Sequence, residues 1–175
     1  MDILYVVGTL PKKNSLWRNN ELRFSLRSVE RFFPNHGKIY IAGKIPQPIT
    51  NVTFVNAEDK FHDTFFIDAQ KNTNLKLQKA IEIPELSEEF VLFNDDFFLL
   101  QPLKDDTQPH MGYMIEVEKQ HAAKKGTFYT AWRQTRLLIT KQCRTKPLNF
   151  ELHAPMVLTK TGMTHIFDIM PRILS

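Results

Sequence analysis

Two adjacent aspartates, Asp95 and Asp96, are the residues of this sequence best suited to chemistry. They follow Asn94 and stand between two apolar runs, residues 90–93 and 97–100, each long enough for a buried strand. Adjacent carboxylates at the edge of a core are unfavourable unless they are paired, hydrogen-bonded or bound to a metal. A hard cation such as Mg²⁺ takes carboxylate oxygens and completes its shell with substrate phosphates. The pair therefore predicts either a metal-diphosphate site or, because Asn and Asp favour turns, an ordinary β-turn.

Glu151 and His153 form a second pair of chemical interest. Residues 150–158 have the character of a strand, in which residues two apart point to the same side. A carboxylate beside an imidazole orients the ring and raises its pKa, which suits proton transfer or metal binding. The other interpretation is an ordinary Glu–His pair on the surface.

Two arginines could bind an anion on the first helix, which Asn20 can cap and which ends before Pro34. Arg23 and Arg27 are four residues apart, and like charges at that spacing are unfavourable unless something negative lies between them. Phosphate is one such group, and Glu30 or solvent is the ordinary one.

The ends of two other elements offer further contacts to an anion. Gly8 and Thr9 follow the first apolar run, at the strand edge where open α/β sheets bind ligands, although a glycine there is also a plain strand end. A helix that begins at Asn72 or Thr73 has an anion-friendly N-terminus, to which Lys76 adds one turn further in. A lysine on a helix is otherwise simply solvated.

The order of elements predicts an α/β fold. The predicted strands cover residues 3–7, 38–43, 52–55, 90–93, 111–117 and 150–158, and the predicted helices cover 20–33, 72–83, 127–139 and 162–174, with an irregular loop over 56–71. A strand, a helix and a second strand in this order imply a mostly parallel central sheet with helices on both faces. We expect a single compact domain over residues 1–175.

Composition excludes several classes of protein. The 175 residues are 42% hydrophobic with a net charge of +4, which is typical of a globular chain and not of a disordered one. No apolar run is long enough to cross a bilayer, no signal peptide is visible, and Cys143 has no disulfide partner, so we expect a cytoplasmic protein. The basic residues around 133–146 are either solubilising or face an anionic acceptor or lipid head groups. Nothing indicates a nucleic-acid module.

Several segments together resemble the Stealth family. The family's N-E-L-R-x-S-L-R-S, I-P-x-L-S-x-x-F, F-N-D-D and H-x-P segments match residues 20–28, 83–90, 93–96 and 153–155, in that order. The family includes bacterial capsular polysaccharide phosphotransferases and the animal N-acetylglucosamine-1-phosphate transferase. The resemblance implies a nucleotide-sugar transferase domain of the GT-A type.

The resemblance also implies roles for single residues. It places Asp95 and Asp96 at a Mg²⁺ or Mn²⁺ ion that holds the donor diphosphate, with Asp96 catalytic. It places His153 near the reacting phosphate or hydroxyl, where it could deprotonate the acceptor. With the contacts weighed above, the expected substrate-binding residues are Gly8, Thr9, Arg23, Arg27, Asn72, Lys76, Asn94 and Glu151.

The expected function is metal-dependent transfer of a sugar 1-phosphate, or of a sugar, in polysaccharide biosynthesis. The partners would be a nucleotide-diphosphate sugar donor and a glycan acceptor, which could be linked to a membrane. One departure supports an alternative: the family's first strand leads into W-V-D-G-x-D-P, whereas residues 5–11 read Y-V-V-G-T-L-P without an acid. The alternative is a catalytically degenerate module that binds a nucleotide sugar or glycan.

Overall fold

A computed structural model describes residues 1–8, 21–44, 49–61, 66–103, 110–121, 126–150 and 154–169. Within these ranges the chain forms five strands and five helices. In chain order they are β1 (Asp2–Val6), α1 (Glu21–Phe32), β2 (Ile39–Ala42), β3 (Thr53–Val55), α2 (Phe66–Ile81), β4 (Glu89–Asn94), α3 (Met114–Gln120), α4 (Thr127–Cys143), β5 (Met156–Thr159) and α5 (Lys160–Ile169). No helix in the described part of the chain is long and apolar enough to cross a membrane.

The strands form one sheet in the order β3-β2-β1-β4-β5. β1 pairs in parallel with β2 and with β4, and β2 pairs in parallel with β3. The last pair, β4 with β5, is antiparallel. The prediction of an α/β fold with a mostly parallel sheet is therefore confirmed.

Side chains alternate along β1 and serve two cores, one on each face of the sheet. Ile3, Tyr5 and Val7 pack with the apolar stripe of α1, whose members are Leu22, Leu26 and Val29. Leu4 and Val6 pack on the other face with residues of α2 and α5. Since β1 is buried along its whole length, it is the central strand around which both layers assemble.

The start of β1 is fixed by a buried carboxylate. Asp2 accepts hydrogen bonds from the backbone amides of Lys38 at 2.8 Å and Ser87 at 2.9 Å, and its own amide donates to the Ser87 hydroxyl at 3.2 Å. Burial raises the pKa of the Asp2 carboxyl, but the bonds from Ser87 and Lys38 outweigh it and hold that pKa below its ordinary value. The serine of the I-P-E-L-S segment thus ties the entry of β4 to the beginning of β1.

The chain divides into two compact units. One comprises Met1–Asp105 with Pro155–Ser175 and contains the sheet, and the other comprises Asp106–Ala154 and contains α3 and α4. In the second unit, Glu118 of α3 forms ion pairs with Arg136 at 2.6 Å and Arg133 at 3.4 Å. Whether residues 1–175 form one domain stays a prediction.

Four predicted elements differ in the structure. In the described residues, the strand predicted over 150–158 is found as β5, Met156–Thr159. Residues 97–100 form no strand, because side chains of α1 bind their backbone groups (below). Residues 114–120, for which the prediction was a strand over 111–117, form α3, with Met114 and Val117 buried at helical spacing. The helix predicted from Asn72 begins at Phe66, so the predicted loop over 56–71 is helical in its last part.

Candidate functional site

The site lies at the carboxyl ends of β1 and β4. Val6 and Asn94 are paired neighbours in the parallel ladder, so both strands end side by side. Gly8 follows β1 and is exposed, as is Asn94. A Cβ atom added to Gly8 would meet nothing within 4 Å, which leaves open space beside this strand end.

Asp95 and Asp96 form a turn directly after β4. The amide of Phe97 donates to the Asn94 carbonyl at 3.2 Å, so the β-turn interpretation is correct for the backbone. Asp95 is half-buried, whereas Asp96 is exposed. The turn therefore leaves one carboxylate at the edge of the core and directs the other to solvent.

Electrostatics at this turn are unfavourable to a second negative charge. Burial raises the pKa of the Asp95 carboxyl above its ordinary value, and the charges of Asp96 and Glu21 push it in the same direction. A backbone hydrogen bond within Asp95 and the nearby Lys76 oppose the rise. A bound cation would relieve this repulsion.

Two serines of α1 hold the segment that follows the turn. Ser25, which is fully buried, donates to the Phe97 carbonyl at 2.5 Å and shares a 2.8 Å hydrogen bond with the Tyr5 hydroxyl. Ser28 accepts from the Leu99 amide at 2.9 Å and donates to the Ser25 carbonyl at 2.7 Å. These contacts satisfy backbone groups that would otherwise require a neighbouring strand, and they fix the aspartate turn against α1.

Lys76 is 2% exposed, although it was expected to contact substrate. Its ammonium donates to the Val7 carbonyl at 2.7 Å and forms a 2.5 Å ion pair with Asp59. Its positive charge also acts on Asp95. Lys76 thus links the end of β1 to the segment after β3.

Asn72, one helical turn before Lys76, is also buried. Its side-chain oxygen accepts from the amides of Lys60 and Phe61, each at 3.0 Å, and its side-chain nitrogen donates to the Phe61 carbonyl at 2.9 Å. In this structure the side chain is engaged by the segment that leads toward α2. The side chain of Asn72 therefore serves a tertiary contact and not a helix cap.

The remaining predicted contacts fall into two groups. Arg23 and Arg27 are exposed on α1, the helix that begins with Glu21, the residue that acts on Asp95. Thr9, Glu151 and His153 lie outside the described residues. The structure therefore brings together the ends of β1 and β4, Asp95, Asp96 and Lys76, with Glu21 at the start of α1.

A metal ion would have to share its ligands with substrate. In the described ranges, no group of three or more His, Cys, Asp or Glu side chains is placed to hold a metal ion. Two carboxylates fit the way Mg²⁺ is usually held, by one or two protein carboxylates plus waters and substrate phosphates.

Sequence reasoning missed Tyr5, Ser25, Ser28, Glu21 and Asp59. A signal for Ser25 was present, because it stands among Leu22, Leu26 and Val29 on the buried face of α1. A polar residue on an apolar face requires a hydrogen-bond partner. Nothing local to the sequence identifies that partner as a carbonyl 72 residues away.

A separate cleft of about 610 Å³ lies between residues 56–60 and α2. Its lining carries charges of both signs, from Glu58, Asp59, Lys60, Lys79 and Glu82, and is completed by Asn56, Ala57, Leu75 and Gln78. Asp59 belongs to both this cleft and the ion pair with Lys76. The cleft therefore borders the polar contacts that support the end of β1.

Comparison with known proteins gives a consistent result. The family model for conserved region 2 of Stealth proteins matches residues 16–115. The chain is 37% identical over 106 residues to the exopolysaccharide phosphotransferase CpsY of Mycobacterium tuberculosis, covering 57% of this chain and 20% of that protein. It is 32% identical over 120 residues to the capsular polysaccharide phosphotransferase LcbA of Neisseria meningitidis, covering 62% of this chain and 32% of that protein. The matched part of the chain thus corresponds to a fifth to a third of the length of these relatives.

Proposed function

This chain belongs to the Stealth family, and from that premise we propose that it transfers a sugar 1-phosphate from a nucleotide-diphosphate sugar to a glycan hydroxyl. The names of its relatives, exopolysaccharide and capsular polysaccharide phosphotransferases, support this reaction and a role in polysaccharide biosynthesis. The single observation that carries the proposal is the Asp95–Asp96 turn at the joined ends of β1 and β4. A half-buried carboxylate held there next to the exposed carboxylate of Asp96 is suited to a cation and its diphosphate.

Asp95 and Asp96 would hold the Mg²⁺ or Mn²⁺ ion. When bound, the cation neutralises the charge that develops on the diphosphate as it breaks. The aspartates contribute fixed ligands, because Ser25 and Ser28 hold the segment after the turn. A ligand set fixed in this way need not reorganise when the donor binds.

The donor and acceptor would be bound by groups around this turn. In the proposal Arg23 and Arg27, both exposed on α1, bind phosphate oxygens and stabilise the equatorial charge of the phosphoryl group in transfer. Asn94 and Gly8 border the donor, with Thr9 and Glu151 as further contacts. His153 removes the proton of the acceptor hydroxyl. We further propose that the reaction takes place in the cytoplasm, with which the unpaired Cys143 is consistent.

The bond that breaks distinguishes the two transfer reactions. Attack at the β-phosphorus releases a nucleoside monophosphate, whereas cleavage at the anomeric carbon releases a nucleoside diphosphate. Purified protein is incubated with a panel of nucleotide-diphosphate sugars and Mn²⁺, and the released nucleotide is identified by chromatography. We expect slow release of the monophosphate that is abolished by Asp96→Asn and retained by Asp168→Asn, a matched change at an exposed site on α5.

A binding module is the second function that an observation favours. Residues 5–8, which end β1 and lead out of it, read Y-V-V-G and provide no acid at the strand end. Such a module would bind the nucleotide sugar in calorimetry with no turnover of any donor in the panel. Release of nucleotide that depends on Asp96 would exclude it.

A further inference from the structure

We propose that Lys76 is a positioning residue, which holds the end of β1 at the edge of the site without touching substrate. The proposal deepens the proposed function, on which its catalytic part rests. It assigns to a buried lysine of α2 a role different from the phosphate contact that its sequence position suggests. The contacts of its ammonium group carry the argument.

Burial excludes Lys76 from direct contact with a donor in this structure. The residue is 2% exposed, and its ammonium is engaged by the Val7 carbonyl and by the Asp59 carboxylate. An ammonium can donate three hydrogen bonds. Because Lys76 is 2% exposed, a phosphate could reach it only if the surrounding groups moved, whereas exposed arginines are available on α1.

The contact with Val7 acts on the strand end that borders the site. Val7 follows β1, and its amide donates to the Ala42 carbonyl at 2.9 Å. Its carbonyl, 2.7 Å from the Lys76 ammonium, lies beyond the last ladder pair, Val6 with Asn94. Lys76 thus holds the backbone one residue beyond the end of β1, up to exposed Gly8.

The alternative is that Lys76 only neutralises Asp59, and two single variants separate these roles. Asp59→Asn removes the ion pair but leaves Lys76 in contact with Val7. Lys76→Met removes both interactions and keeps most of the length of the side chain. Lys79→Met, an exposed change on the same helix, is the matched control.

Hydrogen exchange of the free protein gives a readout that does not depend on activity. We expect the Val7 amide to exchange about 10-fold faster in Lys76→Met than in the wild type, relative to the amides of β2, because the strand end opens locally. Asp59→Asn and Lys79→Met should leave this ratio within about 2-fold of the wild type. If Lys76→Met does not fold, Lys76→Gln, which keeps an amide donor and loses the charge, replaces it in both assays.

Donor turnover with Mn²⁺ provides the second comparison. We expect kcat/KM to fall about 30-fold or more in Lys76→Met and less than about 5-fold in Asp59→Asn. Both variants are expected to be less stable than the wild type, so a loss of stability alone would not produce this difference. Equal losses in the two variants, or unchanged exchange at Val7 in Lys76→Met, would overturn the proposal. If the wild type itself turns over no donor, the proposed function fails, while the exchange comparison still decides whether Lys76 orders the strand end.

Discussion

Ser25→Ala is the change with the clearest structural consequence. Ser25 has no exposed surface and connects the buried Tyr5 hydroxyl, at 2.8 Å, with the Phe97 carbonyl, at 2.5 Å. Each net hydrogen bond is worth about 1 kcal/mol, and a buried polar group without a partner costs about 1–3 kcal/mol more. We expect the free energy of unfolding to fall by about 3 kcal/mol, a large part of the about 5–15 kcal/mol typical of a domain.

A double-mutant cycle with Tyr5 sharpens this prediction. Tyr5→Phe alone should cost about 1 kcal/mol, because Ser25 keeps its bond to Phe97. The double variant should cost about 3 kcal/mol, less than the sum of the single changes, since no tyrosine hydroxyl is then left without a partner. The cycle is measured by urea unfolding followed by circular dichroism, with Thr50→Ala, which removes a hydroxyl at an exposed position, as the control.

The reasoning would be refuted by two results in particular. One is a loss below about 0.5 kcal/mol for Ser25→Ala, the range of ordinary surface changes. The other is strict additivity of Tyr5→Phe and Ser25→Ala, which would mean that the two hydroxyls are not coupled. Either result would remove the basis for a turn held rigidly by α1.

Three further predictions concern stability. Asp95→Asn should raise the Tm at pH 7 by about 2–4 °C. The pKa of Asp95 is raised in the folded protein, so ionisation of this carboxyl lowers the stability of the fold at pH values above its ordinary pKa of 3.8. Thermal melts at pH 3, where the carboxyl is protonated in both states, should therefore show no gain. Asp2→Ala should lower the free energy of unfolding by about 3 kcal/mol at pH 7. The loss should shrink as the pH falls through the lowered pKa of Asp2, below 3.8. A loss in urea titrations that does not change with pH would contradict this. Gly43→Ala should lower the free energy of unfolding by about 2 kcal/mol, because φ of Gly43 is +129° and the new Cβ would collide with the Val7 carbonyl oxygen. An unchanged midpoint of urea unfolding would contradict this.

The regular elements could be predicted because their signals are local. The helix predicted over residues 20–33 is found as Glu21–Phe32, since Leu22, Leu26 and Val29 define its buried stripe. Continuous apolar runs indicated strands buried on both faces, and β1 and β4 confirm this. The turn at Asp95 and Asp96 was also visible, because turn residues there separate two apolar runs.

Other features depend on contacts between distant residues, which a single sequence does not show. Residues 97–100 alternate between buried or half-buried and exposed side chains as a strand does, yet the Phe97 carbonyl and the Leu99 amide bond to serines of α1. The burial of Lys76 likewise depends on Val7 and Asp59, which are brought to it by the fold. From spacing alone, a helical lysine is expected to be solvated.

The central claim is that Asp95 and Asp96 bind a cation that carries the donor diphosphate. The most direct measurement is a crystal soaked with Mn²⁺ and a uridine or cytidine diphosphate sugar, with anomalous scattering used to locate the metal. We predict one Mn²⁺ within about 2.5 Å of carboxylate oxygens of this pair and of diphosphate oxygens. A donor bound elsewhere, or bound at the ends of β1 and β4 with no metal at these carboxylates, would contradict the account.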